Sequence, residues 1–281
     1  MRSRTRAATL GAALMALLVV AAPAAAEPTW APAGEADIRP GSMTFTEGGQ
    51  CTSNFVFFDA EDNVYIGQAA HCAGTGGATA TNGCDTESLP LGTEVEIEGA
   101  EQPGTLAYSS WLAMQEAGET DLETCQFNDF ALVQIDPNDV DEVNPTIPVL
   151  GGPTGLDPTT STLEPVSSYG NSSLRQGIDL LKLKTGTSLG QVASGWTHNV
   201  LTVTPGIPGD SGSGFIDEEG RAFGTLSTLQ FLPLAGSNGV SDLTLALDYM
   251  RSSGFDAELA EATEEFRPSA LPLLGSLLPR G

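Results

Sequence analysis

The sequence predicts an all-β fold, a barrel or a sandwich, that ends in one helix. Three observations predict it: many short runs of strand-forming residues between turn residues, 33 glycines with 18 prolines, and one stretch of helical spacing near the C-terminal end. The 281 residues are 40% hydrophobic, so the chain is long enough to bury a core as one large domain or two small ones.

The predicted strands fall into two series joined by residues 151–160. The first series covers residues 55–58, 64–67, 93–97, 104–108 and 130–135. The second series covers residues 163–167, 180–184, 190–193, 200–203, 214–216 and 222–228. Residues 59–63 predict the turn of a hairpin in preference to a calcium site. Leucines after a Ser-Asp start predict the helix at 241–252.

The first 26 residues predict an export signal. Three arginines precede an apolar run at 10–22, and small residues at 24–26 suit a cleavage site. The alternative is an uncleaved membrane anchor, which the shortness of the run and its interruption by Pro23 disfavour. We therefore expect a secreted, extracellular protein with no membrane span after signal removal, in which residues 27–42 form an extended N-terminal segment.

The chain is strongly acidic, with a formal net charge of −25 from 11 basic and 36 acidic residues. Signal removal takes away three arginines and no acidic residue, which leaves 8 basic residues and a formal net charge of −28. Such a surface repels nucleic acid and anionic membranes. We expect a well-solvated acidic surface without a specific charged partner.

Four cysteines, an even number, suit disulfides in an exported protein. Three pairings are open, and we favour Cys51–Cys72 with Cys84–Cys125, because Cys51 and Cys72 flank the predicted hairpin. A zinc site is the alternative. The cysteine spacings are not those of zinc ligands and the chain has only two histidines, so we expect no metal.

Gly209-Asp210-Ser211-Gly212-Ser213-Gly214 is the motif with the most chemical content. A serine hydroxyl becomes a nucleophile when a base takes its proton and donors stabilise the oxyanion. Gly209 allows a sharp turn in which the amides of Gly209 and Ser211 point at one spot, forming an oxyanion hole. Alternation of Gly and Ser is by itself common in loops.

Two further motifs supply a base and its partner. His71, in Ala-Ala-His-Cys, can accept a proton near neutral pH, although an isolated histidine is more often a core residue. Asp129 heads the apolar strand Asp-Phe-Ala-Leu-Val, and a buried carboxylate there needs a partner such as an imidazole N–H. The alternative for Asp129 is a turn or strand cap.

Together, in the order His, Asp, Ser, these motifs resemble the chymotrypsin/trypsin-like serine proteases over residues 41–252, and most closely the secreted bacterial members. The resemblance implies two packed six-stranded antiparallel β-barrels, at about 43–150 and 160–240, and a C-terminal helix. The protease domain would then span 43–255, followed by an acidic and then Leu- and Pro-rich tail at 256–281.

The resemblance also implies a role for each residue. Ser211 attacks the peptide carbonyl, His71 transfers the proton, and Asp129 orients the imidazole. The amides of Gly209 and Ser211 bind the oxyanion. Segment 224–227 resembles the strand that pairs with the substrate backbone, and its Ser227 would help to position Asp129.

Some positions depart from the family pattern. Relatives that cleave after Arg or Lys carry Asp six residues before the nucleophile, where this chain has Pro205, so we expect no strong preference for Arg or Lys. Leu229 would narrow the pocket. His198 is a candidate specificity residue, but we favour the alternative of a strand or surface histidine.

The family's usual Ile-Val-Gly-Gly type N-terminus is missing. We therefore expect Asp210 to pair with Arg175 in place of a new α-amino group. The sequence thus predicts a secreted, monomeric serine endopeptidase that acts on proteins or peptides without a cofactor. The alternatives are a catalytically inactive relative that acts as a secreted binding protein, and a secreted serine esterase.

Overall fold

The computed structural model describes residues 27–47, 49–77, 80–230 and 235–268. The predicted export signal, residues 1–26, and the Leu- and Pro-rich end of the predicted tail, residues 269–281, lie outside the described residues. Within the described part, no helix is both long enough and apolar enough to cross a membrane.

The first half of the chain is built from short strands, with two helices before its last strand. These elements are β1 (Met43–Thr46), β2 (Gly49–Thr52), β3 (Val56–Phe58), β4 (Val64–Gln68), β5 (Glu94–Ile97), β6 (Gly104–Ser109), α1 (Ser110–Ala117), α2 (Leu122–Phe127) and β7 (Ala131–Gln134).

The second half has longer strands and carries the C-terminal helix. Its elements are β8 (Pro165–Tyr169), α3 (Asp179–Lys182), β9 (Leu183–Val192), β10 (Thr197–Thr202), β11 (Gly214–Ile216), β12 (Ala222–Gln230), β13 (Ser237–Asp242), α4 (Leu243–Ser252) and β14 (Glu258–Leu259).

Each half forms its own antiparallel β-structure. The second half is a closed barrel in the order β10-β13-β12-β11-β8-β9. The seven strands of the first half and β14, from the end of the second half, form one sheet in the order β14-β3-β4-β7-β6-β5-β1-β2. The prediction of an all-β fold with a C-terminal helix is confirmed. In detail, hydrogen bonds close the barrel of the second half, whereas the strands of the first half and β14 form an eight-stranded sheet.

Strand β14 comes from the segment that the sequence assigns to the acidic tail. Glu258 pairs with Phe58, and Leu259 pairs with Phe57, so β14 extends the first sheet at the β3 edge. Farther along, the Thr263 hydroxyl accepts a hydrogen bond from Asn144 Nδ2 at 2.9 Å. The described part of the acidic segment therefore packs on the domain.

Helix α4 ties the two halves together. The carboxylate of Asp242 accepts the N–H of Leu245 at 2.7 Å and caps the helix. The apolar positions Leu243, Ala246, Leu247 and Met250 recur at helical spacing and are buried in a core shared by both halves. This core fixes the first half against the second, so that loops of both halves meet at one cleft.

The predicted helix at 241–252 is observed with a start two residues later, but two local predictions fail. Residues 180–184 were expected to be a strand, yet α3 occupies most of them and β9 starts at Leu183. Leu180 and Leu181 remain 58% and 37% exposed, so they do not supply a buried strand. Helices α1 and α2 were not predicted, although Gly118 is left-handed at the end of α1 and Asp121 caps α2.

The structure forms both favoured disulfides. Cys51 is joined to Cys72 with an S–S distance of 2.05 Å, and Cys84 is joined to Cys125. The first bond links β2 to the turn after β4. The second links the loop after that turn to α2, so both bonds hold the segments that surround His71.

Candidate active site

Ser211 lies in the loop between β10 and β11, where two glycines have backbone angles that other residues rarely adopt. Gly209 has φ = 93° and Gly212 has φ = 90°. The carbonyl of Ser211 accepts the N–H of Thr52 at 2.8 Å, and the N–H of Gly212 donates to Leu226 at 2.7 Å. The serine is thus held between the first and second halves at the cleft.

His71 lies in a single 3₁₀ turn, Ala70–Ala73, directly after β4. The neighbouring Cys72 anchors this turn to β2 through its disulfide with Cys51. The side chain of His71 is 26% exposed, whereas Ala70 and Ala73 are fully buried. The turn therefore presents the imidazole to the cleft from a fixed backbone.

Asp129 heads β7 and faces His71 with both carboxylate oxygens. Its Oδ2 lies 2.7 Å from His71 Nδ1, and its Oδ1 accepts the backbone N–H of His71 at 2.9 Å. The Ser227 hydroxyl donates to Oδ2 at 2.5 Å. Asp129 is only 3% exposed, so these donors replace the water that the carboxylate would otherwise bind.

Ser227 reaches Asp129 because strand β12 is irregular at this residue. The pairing of β12 with β13 shifts register between Leu226 and Thr228, which leaves Ser227 as a bulge. A bulge changes the direction in which a side chain points. The serine side chain consequently turns to the carboxylate across the interface between the halves.

The two ionisable partners shift each other's pKa. Burial lowers the pKa of His71, but the charge of Asp129 and its hydrogen bond outweigh that effect and raise the pKa above 6.5. Burial raises the pKa of the Asp129 carboxyl, but the charge of His71 and the hydrogen bonds from His71 and Ser227 hold it below its usual value. The pair favours an imidazolium beside a carboxylate.

The backbone around Ser211 offers two unoccupied donors. Among the described residues, neither the N–H of Gly209 nor that of Ser211 donates a hydrogen bond. Such amides can stabilise a developing oxyanion. The Ser211 hydroxyl and His71 line one cleft of about 850 Å³, but no hydrogen bond joins them in the described structure. Bonds of this kind often tighten only when substrate is bound.

Asp210 lies in a buried cluster with two cations. Arg175 Nε donates to both carboxylate oxygens at 3.1 Å, Arg175 Nη2 also contacts Oδ2, and Lys184 Nζ lies 3.2 Å from Oδ2. Arg175 is 6% exposed, and Asp210 and Lys184 are fully buried. The structure thus brings Arg175 to Asp210, as the sequence predicts, and adds Lys184, which sequence reasoning missed.

The pKa values within this cluster follow from burial and charge. Burial lowers the pKa of Lys184 to about 8, since desolvation outweighs the attraction of Asp210. Burial raises the pKa of the Asp210 carboxyl, but hydrogen bonds and charge from Arg175 and Lys184 hold it below its usual value. Asp210 is therefore ionised at neutral pH.

The second half supplies an uncharged wall to the cleft. Besides the residues of the serine loop, this wall comprises Leu226, Ser227, Thr228, Leu229 and Asn238. Asn238 is engaged on both sides of its amide, since Oδ1 accepts the N–H of Gly206 at 2.8 Å and Nδ2 donates to the carbonyl of Thr228 at 3.2 Å. Leu229 is 51% exposed in the cleft, where the sequence predicts that it narrows the pocket.

His198 does not line this cleft. It is fully buried in β10, where Nδ1 lies 2.7 Å from the Thr160 hydroxyl and Nε2 lies 2.8 Å from Asp242 Oδ2. The suggestion that His198 selects substrates is wrong, and the alternative of a strand histidine holds. Its role is to connect β10 to the residue that caps α4.

The free edge of β12 lies farther along the chain than predicted. Gly224 and Thr225 already pair with both β11 and β13, so the expected pairing of segment 224–227 with substrate cannot involve its first residues. Beyond Thr225, β12 pairs with β13 alone among the described strands. Backbone groups for an added strand are therefore at residues 227–229.

Asp59 and a second cluster of carboxylates both have protein partners at their oxygens. Asp59 accepts the N–H groups of Glu61 and Asn63 and the hydroxyl of Tyr65, as expected for a polar hairpin turn. Asp157, Glu164 and Asp217 bring carboxylate oxygens within 4.8 Å of one another. Arg221 forms ion pairs with Asp157 at 2.9 Å and Asp217 at 2.7 Å, so a cation already occupies that cluster.

Comparison with solved structures identifies the class of fold. Thermobifida fusca protease A matches with 17% identity and a TM-score of 0.50, over 79% of this chain and 98% of that one. A glutamic-acid-specific serine protease that uses a histidine triad in substrate binding matches with 15% identity and a TM-score of 0.50, over 79% of this chain and 100% of that one.

These similarities show that the chain has the fold of the bacterial chymotrypsin-like serine proteases. The resemblance recognised in the sequence is thereby confirmed at the level of the fold. No protein-family profile matches the sequence, and a comparison with curated proteins finds no relative.

Proposed function

We propose that this protein is a secreted serine endopeptidase that hydrolyses peptide bonds through an acyl-enzyme. The observation that carries the proposal is the pair of buried contacts between Asp129 and His71 at the cleft that also holds Ser211. The fold and the two unoccupied amides beside the serine support it. The two disulfides support an extracellular location.

The proposed reaction uses His71 as a proton carrier. Because Nδ1 faces Asp129, Nε2 is the nitrogen that takes the proton from the Ser211 hydroxyl as its oxygen attacks the peptide carbonyl. The new C–O bond places negative charge on the carbonyl oxygen, which the amides of Gly209 and Ser211 stabilise. His71 then gives the proton to the leaving amine, and the C–N bond breaks.

Water completes the cycle. His71 takes a proton from water as the water oxygen attacks the acyl-enzyme carbonyl, and His71 returns this proton to the Ser211 oxygen as the ester bond breaks. Asp129 stabilises the imidazolium at each stage, and its low pKa keeps it ionised. Ser227 keeps the carboxylate aimed at His71.

The cleft favours an uncharged substrate side chain beside the scissile bond. The second-half wall carries no carboxylate among its described residues, and the amide of Asn238 is already engaged. An Arg or Lys side chain against this wall would lose water without gaining an ion pair from it, since Glu47, the carboxylate among the described residues of the cleft, lies on the first half. We therefore predict cleavage after Leu or Phe in preference to Arg or Lys.

The test compares quenched fluorescent peptides that differ only at this residue. Mature wild-type protein is assayed beside Ser211→Ala, and products are identified by mass spectrometry. Cleavage that disappears in Ser211→Ala and favours Leu over Arg supports both parts of the proposal. Cleavage by Ser211→Ala at the wild-type rate would exclude Ser211 as nucleophile, and a preference for Arg would overturn the reading of the cleft.

A matched ester substrate separates the peptidase from an esterase. The same acyl-enzyme machinery hydrolyses activated esters, so ester cleavage alone does not decide between them. A protein that cleaves the ester but leaves every peptide intact would be the secreted esterase, and one that cleaves neither would be the binding protein.

A further inference from the structure

A buried serine outside the proposed triad contacts the backbone of the serine loop. Ser172 is 2% exposed, and its Oγ donates to the carbonyl of Pro208 at 2.7 Å. Its backbone N–H donates to Asp210 Oδ1 at 3.0 Å. Ser172 therefore contacts the residues on both sides of Gly209, which supplies one of the two proposed oxyanion donors.

The Pro208 carbonyl and the Gly209 N–H belong to the same peptide group. The bond between these residues is trans, since the cis bond recorded among the described residues is Gly152–Pro153. In a planar trans peptide the C=O and N–H point in opposite directions. A hydrogen bond that holds the carbonyl towards Ser172 therefore holds the N–H on the opposite side.

This peptide would otherwise be free to rotate. Pro208 and Gly209 are the central residues of a turn that the N–H of Asp210 closes on the Ile207 carbonyl at 2.9 Å, and Gly209, with φ = 93° and no side chain, allows the peptide between them to take either orientation in such a turn. A half-turn would exchange the two ends of the dipole and present a carbonyl oxygen where the oxyanion binds. That orientation would repel the negative charge that forms in the proposed reaction.

The other side of Gly209 is held from the first half of the chain. The Thr52 hydroxyl donates to the Gly209 carbonyl at 2.7 Å, and Gln50 Nε2 donates to the same oxygen at 3.4 Å. Because the peptide after Gly209 is fixed in this way, the peptide between Pro208 and Gly209 is the one whose orientation can still change. Among the described residues, the hydrogen bond from Ser172 is the one that this peptide group itself makes, and it adds to the turn hydrogen bond between Asp210 and Ile207.

We infer that Ser172 is a positioning residue that orients the Gly209 amide for oxyanion binding by holding the Pro208 carbonyl. The inference rests on the proposed function, because an oriented amide matters only if an oxyanion forms. Ser172 itself does not line the cleft among the residues that the structure describes.

The test uses Ser172→Ala, with Ser173→Ala as matched control. Ser173 lies in the same turn and loses the same hydroxyl, but its side chain is exposed. Each variant is assayed for kcat and KM on one peptide, with rates expressed per folded protein, taken as the monomeric gel-filtration peak that has the wild-type circular dichroism spectrum, so that misfolded protein is not counted. Inhibition by a peptide boronate, which forms a tetrahedral adduct with serine, is measured in parallel.

We expect Ser172→Ala to lower kcat about tenfold and to weaken boronate binding to a similar degree, with KM nearly unchanged. The loss is smaller than the 10²–10³-fold expected for removing a donor, because the amide is still present. Ser173→Ala should match wild type in all three values.

An unchanged kcat per folded protein in Ser172→Ala would overturn the inference, even if the variant were less stable. A rise in KM without a fall in kcat would overturn it too, because that pattern reports lost substrate binding. If wild-type protein does not cleave the peptide, the proposed function itself fails, which is a result distinct from an active wild type with an equally active Ser172→Ala.

Discussion

Replacing Arg175 by Ala should weaken both the fold and the proposed activity. The side chain makes two kinds of contact with the serine loop. Its guanidinium holds Asp210, and Nη2 also donates to the Pro205 carbonyl at 2.9 Å. Because Asp210 immediately precedes Ser211, loss of both contacts loosens the loop that carries the proposed nucleophile.

The magnitude follows from what remains around Asp210. Removal of one partner from a buried ion pair typically costs about 3–5 kcal/mol, because the other charge stays buried. Here Lys184 still lies 3.2 Å from the carboxylate, and the N–H groups of Ser172 and Ile207 still donate to it. We therefore expect a smaller loss, about 2–3 kcal/mol in the free energy of unfolding.

The assay measures the free energy of unfolding by urea denaturation at pH 7. Both chains carry Ser211→Ala, so that self-cleavage cannot distort the curves. In the active background, kcat of Arg175→Ala should fall by more than tenfold, since the oxyanion amides lose their support. Secretion should persist. Full activity with unchanged stability would refute the assignment of Arg175 as the partner of Asp210.

Two further predictions concern titration. Asp129→Asn should lower kcat about 10⁴-fold. For wild type, kcat/KM should fall as pH drops through the His71 pKa, which lies above 6.5. Asp129→Asn should move this acidic limb of the pH–rate profile to lower pH, because the negative charge that raises the His71 pKa is gone. A limb that does not move in a pH–rate profile would contradict that coupling. The free energy of unfolding of wild type should rise between pH 8 and 10.5, and Lys184→Met should lack this rise. The folded pKa of about 8 lies below the ordinary 10.5, so the unfolded chain binds more protons across this range. If urea denaturation gives free energies of unfolding that change in parallel with pH for wild type and Lys184→Met, this prediction is refuted.

The sequence predicted the parts of the molecule that local patterns specify. Strand alternation and turns predicted the all-β fold, and the helix at 241–252 followed from leucine spacing behind Asp242. The disulfide partners were anticipated because Cys51 and Cys72 flank one hairpin. The catalytic roles of His71, Asp129 and Ser211 stay predictions, although they agree with the placement of His71 and Ser211 at one cleft and of Asp129 against His71.

Contacts between residues distant in sequence were not predictable in this way. Lys184 lies in a strand of ordinary composition, and nothing near it in the sequence indicates that its ammonium reaches Asp210. Nothing in the sequence distinguishes Ser172 from other loop serines, because its contact with Pro208 depends on the fold. The contacts of His198 were hidden for the same reason, since its partners Thr160 and Asp242 lie on other elements.

Local signals were also overridden by packing. The Leu-rich residues at 180–184 suited a strand, but the chain turns there through α3 and enters β9 only at Leu183. The acidic residues near 258 carry no strand pattern, yet β14 pairs with the open edge of β3. An unpaired edge can recruit any extended segment, because the hydrogen bonds are made by the backbone.

The most direct test of the proposed serine endopeptidase is the reaction of mature protein with a fluorophosphonate, followed by mapping of the modified peptide. The probe reacts with a serine that has both an active base and a formed oxyanion hole. Our proposal predicts one phosphonate group, on Ser211, and none on the Ser211→Ala variant. A folded wild-type protein that remains unlabelled, or that is labelled at another serine, would contradict it.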